Sequence, residues 1–133
     1  MTPAIKTAEK AKIDFSVHQY EHDSSVASFG LEASEKLGVS AATVFKTLVA
    51  SLDNGELVVA IIPVDRKLNL KAVAKASKAK KAKMAEPLDV ERSTGYVLGG
   101  VSPLGQKKRL KTLLDDSAKA QSTIYVSAGR RGL

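Results

Sequence analysis

The sequence predicts an α+β fold, in which one domain combines a mixed β-sheet with short helices. Helical and strand-like stretches alternate along the 133 residues with neither a regular βαβ repeat nor the uniform short strands of a sandwich. A hydrophobic fraction of 44% is sufficient for one core and argues against disorder of the whole chain. An Asn-Gly pair at residues 54–55 lies between two apolar runs, which is a strong signal for a hairpin.

The first forty residues predict two helices and a strand. Thr2 can cap a helix that has proline at its first position and extends over residues 3–12. The alternation of residues 14–22 predicts a strand, and a polar loop follows it. Residues 29–37 predict a short helix ended by Gly38, a residue suited to a left-handed cap. The stripe expected to be buried on this second helix consists of Leu31, Ser34 and Leu37.

The remaining elements follow from the same patterns. Two strands, at residues 43–51 and 56–64, flank the Asn-Gly turn, and a helix with outward-facing lysines follows at 68–77. Further predictions are a short strand within 80–87 and a helix over 88–94 that is ended by Gly95. A glycine-rich loop within 96–105, strands at 109–117 and 122–133, and a helical piece at 117–121 are predicted after it.

Composition limits the classes of partner and compartment. The chain has 21 Lys and Arg residues against 14 Asp and Glu, a net charge of +7, which favours a polyanion such as nucleic acid or a phosphate-bearing ligand, although ordinary solubility charge is the alternative. Cysteine is absent, which fits the cytoplasmic location that we expect. The N-terminus does not resemble a signal peptide and no apolar run approaches ~20 residues, so no membrane partner is expected.

Lys46 is unusual because it interrupts an apolar strand. Alternation places it on one face with Val44 and Leu48, and neither face of the strand is clearly polar. A lysine at the sheet edge that extends to water is one explanation. The functional alternative is an ammonium group at the floor of a pocket, paired with a ligand phosphate, carboxylate or polarised carbonyl.

Three further features each have a functional and a purely structural explanation. The loop GGVSPLG at residues 99–105 can approach a ligand closely, or can simply be a tight turn, since it fits neither a Walker loop nor a dinucleotide fingerprint. His18 and His22 are four residues apart but lack the Glu of a zinc helix, so we expect no metal site. Seven lysines within residues 67–83 can contact a phosphate backbone or form a solvated face.

Four segments together resemble one protein family. They are residues 1–23, VFKTLVA at 44–50, STGYVLGGVSPLGQKKR at 93–109 and TIYVSAGRRGL at 123–133. In this order they are similar to the YbaK/ProX-type aminoacyl-tRNA deacylases, especially the bacterial YbaK Cys-tRNA(Pro) deacylases, which are related to the editing domain of prolyl-tRNA synthetase. The resemblance implies a single editing domain over residues 1–133 with a strongly curved mixed sheet. It also implies aminoacyl-tRNA as the substrate, prolyl-tRNA synthetase as a candidate partner, and no cofactor. The sequence leaves the oligomeric state open.

The resemblance implies a role for most of the candidate site residues. Lys46 is expected to be the catalytic residue and to contact the 3′-terminal part of the aminoacyl-tRNA. The expected substrate-binding residues are Tyr20, Phe29, Thr47, Gly100, Ser102, Pro103, Gly105, Ser127 and Gly129. The positive charge of the chain, and not the resemblance, gives the candidates for contact with the tRNA backbone, which are Lys71, Lys75, Lys78, Lys107 and Lys108.

The implied reaction fits the residues available. The thiol of a cysteinyl ester attacks its own carbonyl, so the protein mainly has to position the ester and stabilise an oxyanion. The alternatives are a tRNA- or synthetase-binding module with weak or lost hydrolase activity and, less favoured, a hydrolase of small aminoacyl esters.

The chain departs from the family in two places. Family members usually continue past GRRGL with a strand and a helix, which we expect this chain to lack. Residues 75–84 lack the glycine that usually separates the third helix from the next strand.

Overall fold

The computed structural model of the protein describes residues 1–25 and 28–133, which form one α+β domain as predicted. Within these residues the α-helices are α1 (Pro3–Lys10), α2 (Phe29–Leu37), α3 (Leu70–Ala76) and α4 (Pro87–Thr94). The strands there are β1 (Phe45–Leu52), β2 (Leu57–Pro63), β3 (Ala82–Met84) and β4 (Lys111–Leu114). Short 3₁₀ turns occur at Ala41–Thr43 and Asp116–Ala120.

The four strands form one open mixed sheet in the order β3-β1-β2-β4. Strand β1 is antiparallel to β2 and β3, whereas β2 is parallel to β4. The Asn-Gly turn joins β1 to β2 as predicted, and Gly55 has a φ of +87°, which glycine adopts without a side-chain clash. Lys46 pairs with Ile62 across this hairpin, so it lies on a central strand of the sheet.

Local capping explains where the helices begin and end. The Thr2 side chain accepts a hydrogen bond from the Ile5 amide, and proline occupies the first turn of α1. Helices α2 and α4 end at Gly38 and Gly95, which have φ values of +68° and +83°. These caps confirm the sequence predictions, although α1 ends at Lys10 and is therefore shorter than expected.

The two faces of the sheet are covered by different helices. The α1 face carries Phe45, Thr47 and Val49 of β1, and Val49 packs in one cluster with Ala4 of α1 and Val90 of α4. The α3 face carries Lys46, Leu48 and Ala50, and Ala50 packs against Val73 of α3. Core packing therefore fixes which helix lies on the same side of the sheet as the Lys46 side chain.

The prediction of a strand at residues 14–22 is wrong. These residues have no regular secondary structure, and the side chains of Phe15 and Val17 are 39% and 47% exposed. The Tyr20 amide does bond to the Gly132 carbonyl. The alternating pattern was present, but a strand also needs a neighbouring strand that continues the ladder.

The strand predicted at residues 122–133 reduces to one bridge between Tyr125 and Val44. Gly129 and Gly132 have φ values of +111° and +84°, so the backbone turns instead of continuing as an extended strand. This segment crosses the start of β1 and then folds back toward Tyr20. Within the described residues, no helix is both long and apolar enough to cross a bilayer.

Candidate functional site

Lys46 is a half-buried lysine on the α3 face of β1, opposite Ile62. Burial lowers the pKa of its ammonium group because little water remains to solvate the charge, and the negative charge of Asp65 partly opposes this effect. No salt bridge to Lys46 forms within residues 1–25 and 28–133. A desolvated ammonium without a close carboxylate partner is chemically suited to bind an anionic or polarised oxygen of a ligand.

Thr47 points to the opposite face of the sheet from Lys46, because neighbouring side chains of a strand alternate. Its side chain is on the α1 face, and the residue is 8% exposed. The Oγ1 atom is buried and has no hydrogen-bond partner in the part of the chain that the structure describes. Buried hydroxyl groups nearly always have a hydrogen-bond partner. This hydroxyl therefore marks a position where a ligand or a water molecule could form a hydrogen bond with it.

Phe29 begins α2 at a crowded junction. The guanidinium carbon of Arg131 lies 4.4 Å from the centroid of the Phe29 ring, in the range of a cation–π contact. The His22 ring lies 5.6 Å from the same ring. A side chain at Gly99 would place its Cβ 2.6 Å from Phe29 Cδ2, so the glycine-rich loop can reach this ring only with glycine there.

Helix α2 is anchored at the same end of the β1–β2 hairpin as Lys46. A Cβ at Gly30 would lie 2.3 Å from Cγ1 of Val64, which shows how closely the helix approaches the chain just after β2. The Val64 amide donates to the carbonyl of Val44, two residues before Lys46. Phe29 and Lys46 are therefore positioned by neighbouring parts of one rigid hairpin.

Tyr20 lines an open recess with a volume of about 500 Å³. Its amide donates to the Gly132 carbonyl at 3.1 Å, which joins it to the segment that carries Arg131. Burial raises the pKa of the Tyr20 hydroxyl, so the group remains a protonated hydrogen-bond donor at neutral pH. The residues around the recess are Gln19, Tyr20, Glu21, Arg130, Arg131 and Gly132.

Glu32 is a buried carboxylate that the sequence analysis missed. It accepts hydrogen bonds from the Asp23 amide and from Nδ1 of His22, each at 2.7 Å, and the Lys36 ammonium lies 3.4 Å away. These donors lower the pKa of the Glu32 carboxyl, the Asp23 amide having the largest effect. Glu32 and Ser34 are buried on α2, whereas the predicted stripe residue Leu31 is 41% exposed. The apolar pattern alone could not locate this face, because a paired carboxylate occupies it.

The glycine-rich loop combines close backbone contacts with a buried interior. A Cβ at Gly100 would lie 2.8 Å from the Cα of Arg130, so two backbone segments touch there. The Gly100 amide already donates to the Val97 carbonyl. Ser102 is fully buried, and its Oγ accepts a hydrogen bond from the Leu104 amide at 3.2 Å.

The end of this loop packs away from Lys46. Gly105 has a φ of +68°, and its backbone lies against the Pro3 carbonyl at the start of α1. Pro103, two residues earlier, is half-buried. The loop therefore brings Gly99 to Phe29 and Arg131, while Ser102 and Gly105 serve to hold the loop on the α1 side.

Ser127 and Gly129 belong to the crossing segment. The Gly129 amide donates to Oγ of Ser127 at 3.2 Å. A Cβ at Gly129 would lie 2.8 Å from Cε1 of Tyr96, and the hydroxyl of Thr2 donates to the Ala128 carbonyl. These contacts fix the segment between the start of α1 and the glycine-rich loop.

The lysine candidates lie on two different sides of the sheet. Lys71 and Lys75 are exposed on α3, and Lys78 is exposed just after it. The amides of Lys107 and Lys108 instead bond to the last turn of α4, whose core contacts are on the α1 face. Within residues 1–25 and 28–133 no group of three or more His, Asp or Glu side chains could hold a metal ion.

A half-buried lysine on a central strand, at the end of the hairpin that helix α2 approaches, fits the class of editing domains that the sequence resemblance indicated. Residues 23–133 match the aminoacyl-tRNA editing domain family. This match covers most of the 133 residues, and the chain belongs to the aminoacyl-tRNA editing domain family.

Named relatives align with most of this chain. The chain is 41% identical over 133 residues to an Enterococcus faecalis protein named "Putative Cys-tRNA(Pro)/Cys-tRNA(Cys) deacylase EbsC", covering 99% of this chain and 80% of that one. It is 29% identical over 100 residues to the Bacillus subtilis protein YwhH, covering 75% and 63% of the two chains.

Two solved structures share the fold. The hypothetical protein APE2540 has a TM-score of 0.86 and 22% identity, with 98% of this chain and 84% of that chain covered. A structure titled as a "putative trans-editing enzyme for prolyl tRNA synthetase" has a TM-score of 0.79 and 20% identity, with 97% and 80% covered.

Proposed function

We propose that this protein is a trans-editing hydrolase that removes the amino acid from mischarged aminoacyl-tRNA, with Cys-tRNA(Pro) as its main substrate. Two findings support the proposal: the family match over residues 23–133 and the 41% identity to EbsC, whose name refers to cysteinyl-tRNA. We also propose that residues 1–133 act as one editing domain in the cytoplasm, beside a prolyl-tRNA synthetase that supplies tRNA selectivity.

The observation that carries the proposal is the Lys46 ammonium. It is half-buried on a central strand. Its pKa is lowered because burial removes water from the charged group and the negative charge of Asp65 compensates only in part. In the proposed complex a phosphate or ester oxygen near the tRNA 3′ end supplies the missing partner. Binding there fixes the ester relative to the protein and offsets the desolvation of the ammonium.

The proposed reaction uses a nucleophile from the substrate. The cysteine sulfur forms a bond to its own carbonyl carbon, the ester C–O bond breaks, and the thiol proton goes to the ribose oxygen that leaves. The cysteine departs as a cyclic thioester, which water then opens. A loop amide other than that of Gly100, which already bonds to Val97, holds the carbonyl oxygen as charge develops.

Part of the predicted set lies around the reacting ester in this proposal. Tyr20 and Phe29 contact the aminoacyl and adenosine groups, with the Tyr20 hydroxyl protonated because burial raises its pKa. The crossing segment with Ser127 and Gly129 forms the wall opposite the glycine-rich loop.

The test is deacylation of Cys-tRNA(Pro), with Ala-tRNA(Pro) and Pro-tRNA(Pro) measured in parallel. We expect release of cysteine, and a loss of kcat/KM of about 10²-fold or more in Lys46→Ala, as for removal of a group that stabilises the transition state. Lys83→Ala, an exposed lysine of β3, is the matched control and should keep full activity. A folded, fully active Lys46→Ala protein would contradict the role of Lys46. Tight tRNA binding without turnover in the unmodified chain would instead support a binding module.

A further inference from the structure

Lys78 has a backbone conformation that lysine rarely adopts. Its φ is +57°, and it directly follows Ser77, the C-cap of α3. Glycine is the usual residue at this position of a helix end, because a Cβ clashes with the backbone when φ is positive. The unfavourable conformation of Lys78 therefore raises the question of what its side chain contributes.

Lys78 follows a helix that carries two other exposed lysines. Lys71 and Lys75 are four residues apart on α3, so they project from one side of the helix about 6 Å apart along its axis. Lys78 is exposed just beyond the C-cap of the same helix. The first turn of α3 has no acidic residue, and none of the three lysines forms a salt bridge within the described residues. We call Lys71, Lys75 and Lys78 the α3 lysine surface.

The α3 lysine surface lies on the same side of the sheet as Lys46. Helix α3 packs through Val73 on Ala50, which is four residues further along the same face of β1 than Lys46. Four residues of a strand span about 13 Å. The pair Lys107 and Lys108 is attached to the end of α4, on the α1 side of the sheet.

We infer that the phosphate backbone of the tRNA acceptor arm lies across the α3 lysine surface, and that Lys78 is retained in a strained conformation for its charge. This inference rests on the proposed function and identifies where its substrate approaches. The occupant is a polyanion because the surface offers three ammonium groups without a salt-bridge partner among the described residues, and a phosphodiester chain presents charges at regular intervals. Lys107 and Lys108, on the other side of the sheet, do not take part.

The chain contains a matched control for Lys78. Lys12 also has a positive φ, +56°, and also follows the C-cap of a helix, α1. The amides after both helices make similar bonds, from Lys12 to the Glu9 carbonyl and from Lys78 to the Lys75 carbonyl. Helix α1 packs on the opposite face of the sheet. Lys12 therefore has the same unfavourable backbone conformation as Lys78 but does not lie on the α3 side of the sheet.

The experiment compares Lys78→Gly with Lys12→Gly. Both variants should be at least as stable as the parent in urea, because glycine adopts this φ without a clash. Binding of uncharged tRNA(Pro) is then measured over a range of salt concentrations. We expect Lys78→Gly to weaken binding and to reduce the slope of log K against log salt by about 0.9, the value for one phosphate contact. Lys12→Gly should leave both the affinity and the slope unchanged.

A second comparison tests the rest of the surface. Lys71→Gln with Lys75→Gln, and Lys107→Gln with Lys108→Gln, each remove two positive charges from exposed positions. The α3 pair should weaken tRNA binding about ten-fold or more at 0.1 M salt and reduce the slope by about 1.8. Equal weakening by the two pairs would show a diffuse effect of net charge and overturn the inference, as would unchanged binding in the α3 pair.

These outcomes are separable from those of the proposed function. If the unmodified chain releases no amino acid but its tRNA binding depends on the α3 lysines, the hydrolase proposal fails and the inference that tRNA binds the α3 lysine surface stands. If the chain deacylates Cys-tRNA(Pro) and the α3 variants retain the parent KM and affinity, the hydrolase proposal holds and the inference that tRNA binds the α3 lysine surface is wrong.

Discussion

At the scale of single residues, the most informative side chains are those whose polar groups lack a protein partner. The buried hydroxyl groups of Thr47 and Ser77 have none within the described residues, and Lys46 is desolvated without forming a salt bridge there. Unpaired buried groups reduce stability, so they persist where another requirement retains them. For Lys46 the proposed requirement is contact with the substrate ester, whereas Thr47 lies on the opposite face of the sheet and its predicted contact with the substrate needs its own test.

Thr47→Val tests this contact because valine has nearly the same shape as threonine without its hydroxyl. Removal of an unpaired buried hydroxyl should raise the free energy of unfolding by about 1 kcal/mol. If Thr47 contacts the substrate, the same variant should lose deacylase activity. Urea unfolding and the rate of Cys-tRNA(Pro) deacylation give the two readouts.

Ser77→Ala is the matched control for Thr47→Val. Ser77 is the C-cap residue of α3, and its hydroxyl is likewise buried without a partner. This variant should be at least as stable as the parent, and its activity should not change. A Thr47→Val protein that is stabilised and fully active would show that the Thr47 hydroxyl has no part in the reaction.

At the scale of elements, local patterns predicted the parts of the fold that local interactions determine. The hairpin at residues 54–55 and the helix ends at Gly38 and Gly95 follow from backbone preferences of a few residues, and the structure confirms them. The segments at 14–22 and 122–133 were misassigned because their conformation depends on distant partners.

The candidate site was predictable only in part for the same reason. Lys46 was identifiable because a charge within an apolar strand is visible in the sequence itself. Glu32 was not, because its partners His22 and Asp23 lie about ten residues away in the sequence. A sequence shows which residues are unusual for their local pattern, whereas a buried ion pair becomes visible only when the chain has folded.

Glu32 links helix α2 to the segment that carries Tyr20, and this predicts a pH dependence of stability. Its folded-state pKa is lowered, so its contribution is present above the unfolded-state pKa of about 4.3 and is lost as the pH falls through the folded-state value. Glu32→Gln should therefore be less stable than the parent near neutral pH. The difference should shrink in more acidic solution, and the side chains that face this carboxylate are His22 and Lys36.

Urea unfolding at several pH values measures this difference. Glu35→Gln is the control, since Glu35 is exposed on the same helix and should show little change at any pH. A Glu32→Gln protein with unchanged stability near neutral pH would show that the bonds to Asp23 and His22 add nothing to the fold. A difference that stayed constant down to strongly acidic pH would assign the effect to packing.

At the scale of the whole molecule, the balance of charge predicts different salt responses for a tRNA substrate and for a small ester. The net charge is +7, and lysines are exposed on both sides of the sheet. A positive protein attracts a polyanion over a distance that salt shortens, from about 10 Å at 0.1 M to about 3 Å at 1 M. The chemical step that we propose near Lys46 involves close groups, whose interactions salt screens much less.

Salt should therefore lower kcat/KM for Cys-tRNA(Pro) steeply while changing kcat little, because kcat/KM includes the encounter and kcat does not. The comparison substrate is cysteinyl-adenosine, which carries the same ester without the phosphate backbone. Its kcat/KM should be low and nearly independent of salt. If both substrates respond equally to salt, the positive surface does not guide the substrate. A cysteinyl-adenosine rate that matched that of the tRNA would favour a hydrolase of small esters, since the phosphates would then contribute nothing to recognition.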